Sequence, residues 1–246
     1  MKKSGSTRGS PRARTPFLLT IAMPQEAELL LARLERRGEL GRRPLWGGRL
    51  GRVEVVLVLT GLGLVNAAQA LTAALEGLGP VAGVINLGCA GAYAGSGLEL
   101  GRAAVARELV LADMGIRTQR GFHLLERIGI PLLESPEGRA LYNRLPVDQD
   151  LSRELAGDEL PRVVFATVAQ VSGDPAVAAE LEARWGAALE EMEGAAAAQV
   201  AAWYGVPFAA LRGVSNRAGH RELDVQAGAQ AAQRALLAWA GVEESR

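Results

Sequence analysis

Cysteine and histidine are almost missing from this chain. Its 246 residues include one cysteine, Cys89, and two histidines, His123 and His220. A single thiol excludes an internal disulfide framework and suits a reducing compartment. The three residues form no metal-ligand spacing with one another, so no protein-built zinc site is expected. A charge excess is missing too: Lys and Arg total 27, as do Asp and Glu. That balance gives no footprint for nucleic acid or an acidic membrane surface. No apolar run is long enough to cross a bilayer. The absence of a GK[ST] tripeptide excludes a P-loop.

Two regions remain to be read. Residues 1–16, MKKSGSTRGSPRARTP, are basic, rich in Ser, Gly and Pro, and free of apolar periodicity. They read as a disordered extension. The stretch FLLTIAM behind them is short for a secretory signal and leads into a helical pattern without a small-residue cleavage site, so a cytoplasmic chain is expected. Residues 17–246 are expected to form one domain, long enough to bury a sizeable core. FLLTIA reads as a buried strand. PQEAELLLARLERRG reads as a helix between Pro24 and Gly38. PLWGGRL and RVEVVLVLT suggest a hairpin about Gly51-Arg52. A glycine turn and a small-residue helix follow, then the strand VAGVINLG ending on a turn, CAGAYAG, then RAAVARELVLAD. Residues 113–160 are an irregular excursion with prolines at 131, 136 and 146. Regularity returns with the strand PRVVFATVAQVSG, the helix DPAVAAELEARWG, the strand AALEEME, the helix GAAAAQVAAWYG, the strand VPFAALRGVSN and a helix over 223–240. Strands alternating with helices predict an α/β fold, one sheet covered on both faces, with ligands beyond the strand ends.

Five strand-ending segments carry glycine or polar groups: AMPQE, TGLGLVN, GCAGA, VSGD with EEMEG, and SNRAGHR. TGLGLVN approaches a dinucleotide fingerprint, but Asn66 stands where the third glycine belongs and no acid follows at the ribose position. GCAGA offers either a tight turn or a wall that a flat ligand can approach closely. In an extended segment Glu191 and Glu193 point one way and Met192 the other. Such a pair is either a solvated strand end or a grip on a diol, since carboxylates accept from hydroxyls.

The order of these segments resembles the nucleoside phosphorylase/nucleosidase superfamily over about residues 17–240. Within it, EMEGAA, SNRAGHR and the stretch LADMGIRTQRGFHLLERIGIPLL look most like the futalosine hydrolases. The resemblance implies a three-layer sandwich with a mixed central sheet, no cofactor, and a small-molecule purine nucleoside as partner, with no nucleic acid or membrane partner. It also implies a homodimer in which a neighbour's loop closes the 5′ side of the site. By position, it makes Glu26 the residue that activates water. Met192 packs on the sugar, Glu193 holds its 2′- and 3′-hydroxyls, and Glu191 makes a second sugar or loop contact. Cys89, Ala90 and Gly91 border the site, and Val177 falls near the base edge.

Two departures carry chemistry. Where adenosine-type relatives have an aspartate, this chain has Asn216. Its neutral amide can donate to O6 or N7 of a 6-oxopurine, whereas a carboxylate facing O6 sets acceptor against acceptor. Where hexameric phosphorylases carry a phosphate-binding arginine, this chain has Asn86, and the acid at Glu26 suits water better than phosphate. These departures point to hydrolysis of a 6-oxopurine nucleoside, and the resemblance implies that it is futalosine, split to hypoxanthine and dehypoxanthine futalosine as a step of menaquinone biosynthesis. The alternatives are a methylthioadenosine/S-adenosylhomocysteine-type nucleosidase, a 6-oxopurine phosphorylase and a non-catalytic nucleoside binder. Arg217 and Arg221 are candidate partners for a carboxylate beyond the 5′ carbon. No catalytic role is expected of His123 or His220.

Overall fold

The computed structural model describes residues 15–135, 138–220 and 222–243. Residues 1–14 of the basic extension lie outside them, and so does Arg221. The chain begins with β1 (Phe17–Ile21), a short 3₁₀ turn over Pro24–Glu26 and α1 (Glu28–Leu31). β2 (Glu35–Leu40), β3 (Arg43–Leu50), β4 (Val53–Leu59) and α2 (Leu64–Leu78) follow, then β5 (Gly83–Ala92) and β6 (Ala103–Leu111). The irregular excursion contains β7 (Ile116–Thr118), β8 (Gly121–His123), β9 (Leu133–Glu134), β10 (Ala140–Leu141), β11 (Arg144–Pro146) and α3 (Gln149–Ala156). Regular alternation then resumes with β12 (Arg162–Thr167), α4 (Pro175–Trp185), β13 (Leu189–Glu191), α5 (Gly194–Trp203), β14 (Phe208–Arg217) and α6 (Val225–Ala240).

The sheet is mixed. β1 lies parallel between β4 and β5, while β2, β3 and β4 form an antiparallel flank. On the other side β5, β14, β6, β12 and β13 pair in a closed circuit, through parallel β5–β14, antiparallel β14–β6, parallel β6–β12 and β12–β13, and antiparallel β13–β5. Closing that circuit brings the ends of β5, β13 and β14 together, and Cys89, Ala90, Gly91, Glu191, Met192, Glu193 and Asn216 lie on or beside those ends.

Alternation along β1 sorts the core into layers. Leu18 joins Ala70, Leu71, Ala197 and Ala201 beneath α2 and α5, whereas Leu19 and Ile21 join Leu151, Leu155, Leu236 and Leu237 beneath α3 and α6. Six of the ten residues of α5 are buried, five of them glycine or alanine, which lets it lie close against the sheet. A third cluster under α4 contains Tyr93, Val110, Val168 and Trp185. The expected α/β fold with both faces covered is what the chain adopts.

Three expected elements differ. The helix expected over 24–38 is reduced to a 3₁₀ turn and one turn of α1, because Glu35–Leu40 pairs with β3 as an edge strand. Its charged, exposed residues are those of a protected sheet edge. The CAGA stretch is no turn: β5 runs on through Ala92, held by β13 and β14. The strand expected through Glu193 stops at Glu191.

Candidate active site

A cavity of about 370 Å³ opens at the bent strand ends and brings together Met23, Glu26, Cys89, Ala90, Gly91, Glu190, Glu191, Met192, Glu193 and Asn216. The first acid of Glu191-Met192-Glu193 is spent inside the protein. Glu191 Oε2 accepts from the backbone N–H of Glu193 at 3.0 Å and of Gly194 at 2.7 Å, a cap that the side chain of Glu193 does not itself provide. The same oxygen accepts from Arg212 Nη2 at 2.5 Å, and Oε1 accepts from the Thr167 hydroxyl. Both oxygens are thus occupied by protein donors. Glu191 serves as counter-ion and helix cap.

Glu193 is placed differently. It stands at the start of α5 with φ −128° and ψ −34°, out of the strand, so it does not repeat the orientation of Glu191. Its Oε1 accepts from the Gly63 N–H at 2.8 Å, and Oε2 lies 3.9 Å from Arg212 Nη2. Gly63, at φ +89°, adopts a backbone that favours glycine. The TGLGLVN turn therefore offers its N–H to a carboxylate of this same chain. Burial, and then the charge of Glu191, push the Glu193 carboxyl up to about 7, against the pull of Arg212 and the Gly63 bond.

Glu26 closes the other side. Its Oε1 accepts from Cys89 N–H at 2.9 Å and its Oε2 from Met23 N–H at 3.2 Å, and the residue is 5% exposed. Its carboxylate can lie this close to β5 because residue 88 is glycine: a Cβ there would come within 2.9 Å of Glu26 Oε1 and 3.6 Å of Arg212 Nε. The Cys89 thiol is pushed up to about 12, first by burial and then by the charge of Glu26, so it stays protonated against the acid.

Arg212 was not among the residues singled out from the sequence. It is fully buried on β14, with Nη1 donating to Asn86 O at 3.0 Å and Nη2 to Asn86 Oδ1 at 2.5 Å. Its Nε has no partner among the described residues. Burial works against its charge, but Glu191, Glu193 and Glu26 outweigh that and hold the guanidinium charged. The visible signal was a cation inside the apolar strand FAALRGV, where an unpaired charge is costly. Asn86 also donates to Thr20 Oγ1 at 3.0 Å, so it lies inside the sheet rather than at the cavity wall.

Asn216 lies half-buried opposite these acids. Its Oδ1 accepts from the Ser215 hydroxyl at 2.9 Å and its Nδ2 donates to Arg217 O at 3.1 Å, leaving one amide hydrogen for the cavity. Val177 is not brought to the cavity: it lies 43% exposed in the first turn of α4, and its N–H donates to the Asp174 cap. Val171 and Ser172 line the wall instead. Arg217 is exposed in an adjoining cavity of about 570 Å³, among Glu99, Glu222 and Asp224, and the two cavities share Ser215, Asn216, His220 and Leu223. No cluster of His, Cys, Asp and Glu able to hold a metal occurs among the described residues.

The chain is similar to known proteins in sequence and in fold. The futalosine hydrolase of Thermus thermophilus is 44% identical over 178 residues, covering 72% of this chain and 75% of that one. The 5′-methylthioadenosine/S-adenosylhomocysteine nucleosidase of Geobacillus thermodenitrificans is 31% identical over 201 residues, covering 80% and 82%. The solved futalosine hydrolase of Helicobacter pylori superposes with a TM-score of 0.75 over 92% of this chain and 97% of that one, and at 22% identity it speaks for the fold alone. The pattern of the phosphorylase superfamily matches residues 16–240, which takes in every strand and helix that walls the cavity. By that match and by its fold, the chain belongs to the phosphorylase superfamily.

Proposed function

We propose that this chain hydrolyses the N-glycosidic bond of futalosine, releasing hypoxanthine and dehypoxanthine futalosine as a step of menaquinone biosynthesis. The observation that carries the reading is one cavity lined by Glu26, Glu193 and Asn216, with one amide hydrogen of Asn216 uncommitted. The similarity to the Thermus thermophilus futalosine hydrolase supports the choice of substrate.

Glu193 accepts from the ribose hydroxyls, and Met192, half-buried beside it, packs on the sugar. As the C1′–N9 bond breaks, its electron pair moves into the base and positive charge builds on the sugar ring. Asn216 steadies the departing base by donating to O6 or N7. Water attacks C1′ and Glu26 takes its proton. Buried carboxylates around the position disfavour phosphate, and Arg212 is already matched by Glu191. Cys89, Ala90 and Gly91 form the wall under the sugar and base. Arg217, in the adjoining cavity, is the candidate cation for the remote carboxylate. Residues 17–246 act as one domain in the cytoplasm, in a homodimer whose neighbour covers the exposed Leu62 and Val65.

The second reading, a methylthioadenosine-type nucleosidase, is favoured by the Geobacillus thermodenitrificans relative and opposed by Asn216. Incubation with futalosine, inosine and methylthioadenosine in phosphate-free buffer, followed by chromatography of the released base, separates them. Hypoxanthine released fastest from futalosine is the expected result. Adenine as the main product moves the chain to the second reading, and activity that needs added phosphate moves it to the phosphorylases.

A further inference from the structure

One carboxylate at the cavity has no part in the chemistry above. Glu190 precedes Glu191 on β13 and, by strand alternation, turns to the other side of the sheet. It is 6% exposed, yet it lines the cavity together with Ser172 and Asn216. Three protein donors point at it: Ser172 N–H to Oε1 at 2.9 Å, the Ser172 hydroxyl to Oε2 at 2.5 Å, and the Tyr93 hydroxyl to Oε2 at 3.0 Å. Burial, and then the charge of Glu190, push the Tyr93 phenol up, so Tyr93 remains a donor.

A carboxylate offers roughly four acceptor positions. Two on Oε2 and one on Oε1 are filled, which leaves one lone pair on Oε1 in a side chain that borders the cavity. The three donors also hold the group in a fixed orientation, so this acceptor is set before any ligand arrives.

A 6-oxopurine presents the N1–H donor next to the O6 acceptor. Adenine presents the reverse, a bare N1 acceptor next to a 6-amino donor. The cavity wall offers a donor at Asn216 and an acceptor at Glu190, the complement of the first pattern and a double mismatch to the second. We propose that Glu190 is a specificity-determining residue that accepts the N1–H of a 6-oxopurine base. This rests on the nucleosidase reading above and deepens it by assigning the second contact to the base. A base whose N1 lone pair faces the carboxylate loses a hydrogen bond and leaves two acceptors opposed, which penalises it more than a missing contact alone.

The experiment is competitive inhibition of base release by hypoxanthine, 1-methylhypoxanthine and adenine, measured on the wild type, Glu190→Gln and Glu190→Ala. Thermal melting reports whether each variant is folded. The wild type is expected to bind hypoxanthine about 10- to 100-fold more tightly than either competitor, the range for a hydrogen bond to a charged group. Glu190→Gln keeps the shape but not the charge, and is expected to shrink that ratio by about tenfold. Glu190→Ala also opens space beside N1, so 1-methylhypoxanthine should gain while hypoxanthine loses. A residue that only anchors the Val171–Ser172 wall would weaken all three bases by one factor, and that outcome overturns the proposal. If Glu190→Ala does not fold, the Glu190→Gln ratio decides alone. A wild type that binds adenine more tightly than hypoxanthine overturns the 6-oxopurine reading itself. A wild type that prefers hypoxanthine, with the ratio unchanged in Glu190→Gln, overturns only the role of Glu190.

Discussion

The floor and the mouth of the cavity are built on opposite principles. On the floor, Glu26, Glu191, Glu193 and Arg212 are all buried, and nearly every polar atom has a protein partner. At the mouth, Leu62, Val171 and Leu223 are 52%, 55% and 62% exposed, large apolar side chains facing outward. The floor is therefore set before a substrate arrives, whereas the mouth presents surface that becomes favourable only when covered. A fixed constellation suits chemistry at C1′, where misplacement by a fraction of an ångström is costly. An apolar rim suits recognition of a bulky substituent or of a second chain.

The contrast is broken most severely at Arg212. Replacing it by methionine leaves Glu191 buried without its counter-ion, the situation that costs about 3–5 kcal/mol when a buried pair loses one member. Denaturant titration of Arg212→Met should show that loss, together with loss of base release. Unchanged stability would mean that the floor does not depend on this charge.

Glu193 gives a smaller and more selective effect. Its folded pKa of about 7 lies above its ordinary value of 4.5, so the folded chain holds a proton that the unfolded chain has released between those values. The stability this provides is complete below pH 4.5 and is lost as pH rises through 7. Glu193→Gln should remove that slope from a plot of stability against pH. The ionised form is the one that accepts from the sugar, so wild-type kcat/KM should rise through about pH 7, whereas Glu193→Gln should be flat there and lower by about 10- to 100-fold.

The mouth should respond least. Leu223→Ala removes exposed surface, so stability should stay within about 0.5 kcal/mol of the wild type. KM should rise several-fold for a substrate with a large 5′ group and scarcely change for inosine. Equal changes for both substrates would separate Leu223 from the 5′ side.

How much of this was legible depended on whether a contact was local. Glu26, Met192, Glu193 and Asn216 sit in short motifs at strand ends, and all four reach the cavity. Glu191 was read through strand alternation with Glu193, but α5 begins at Gly194 and breaks that period, so the two acids have separate duties. Arg212, Thr167 and Gly63 meet them from strands and turns far away in sequence. Pairing of strands distant in sequence brings them together, and no local spacing encodes it. Residues 35–37 read as the tail of a helix closed by Gly38, and pairing of Glu35–Leu40 with β3 overrides that propensity. Val177 falls near the base edge by resemblance, yet the Asp174 cap draws its backbone into α4.

The most direct test of the account separates binding from turnover at Glu26. Glu26→Gln keeps a hydrogen-bonding side chain beside Cys89 and Met23 but cannot take a proton from water. Base release from futalosine should fall by about 10²- to 10⁴-fold, while the dissociation constant for futalosine, measured by calorimetry, should stay within a few-fold of the wild type. Near-normal turnover in Glu26→Gln would contradict the account, because the proton of the attacking water would then have another acceptor.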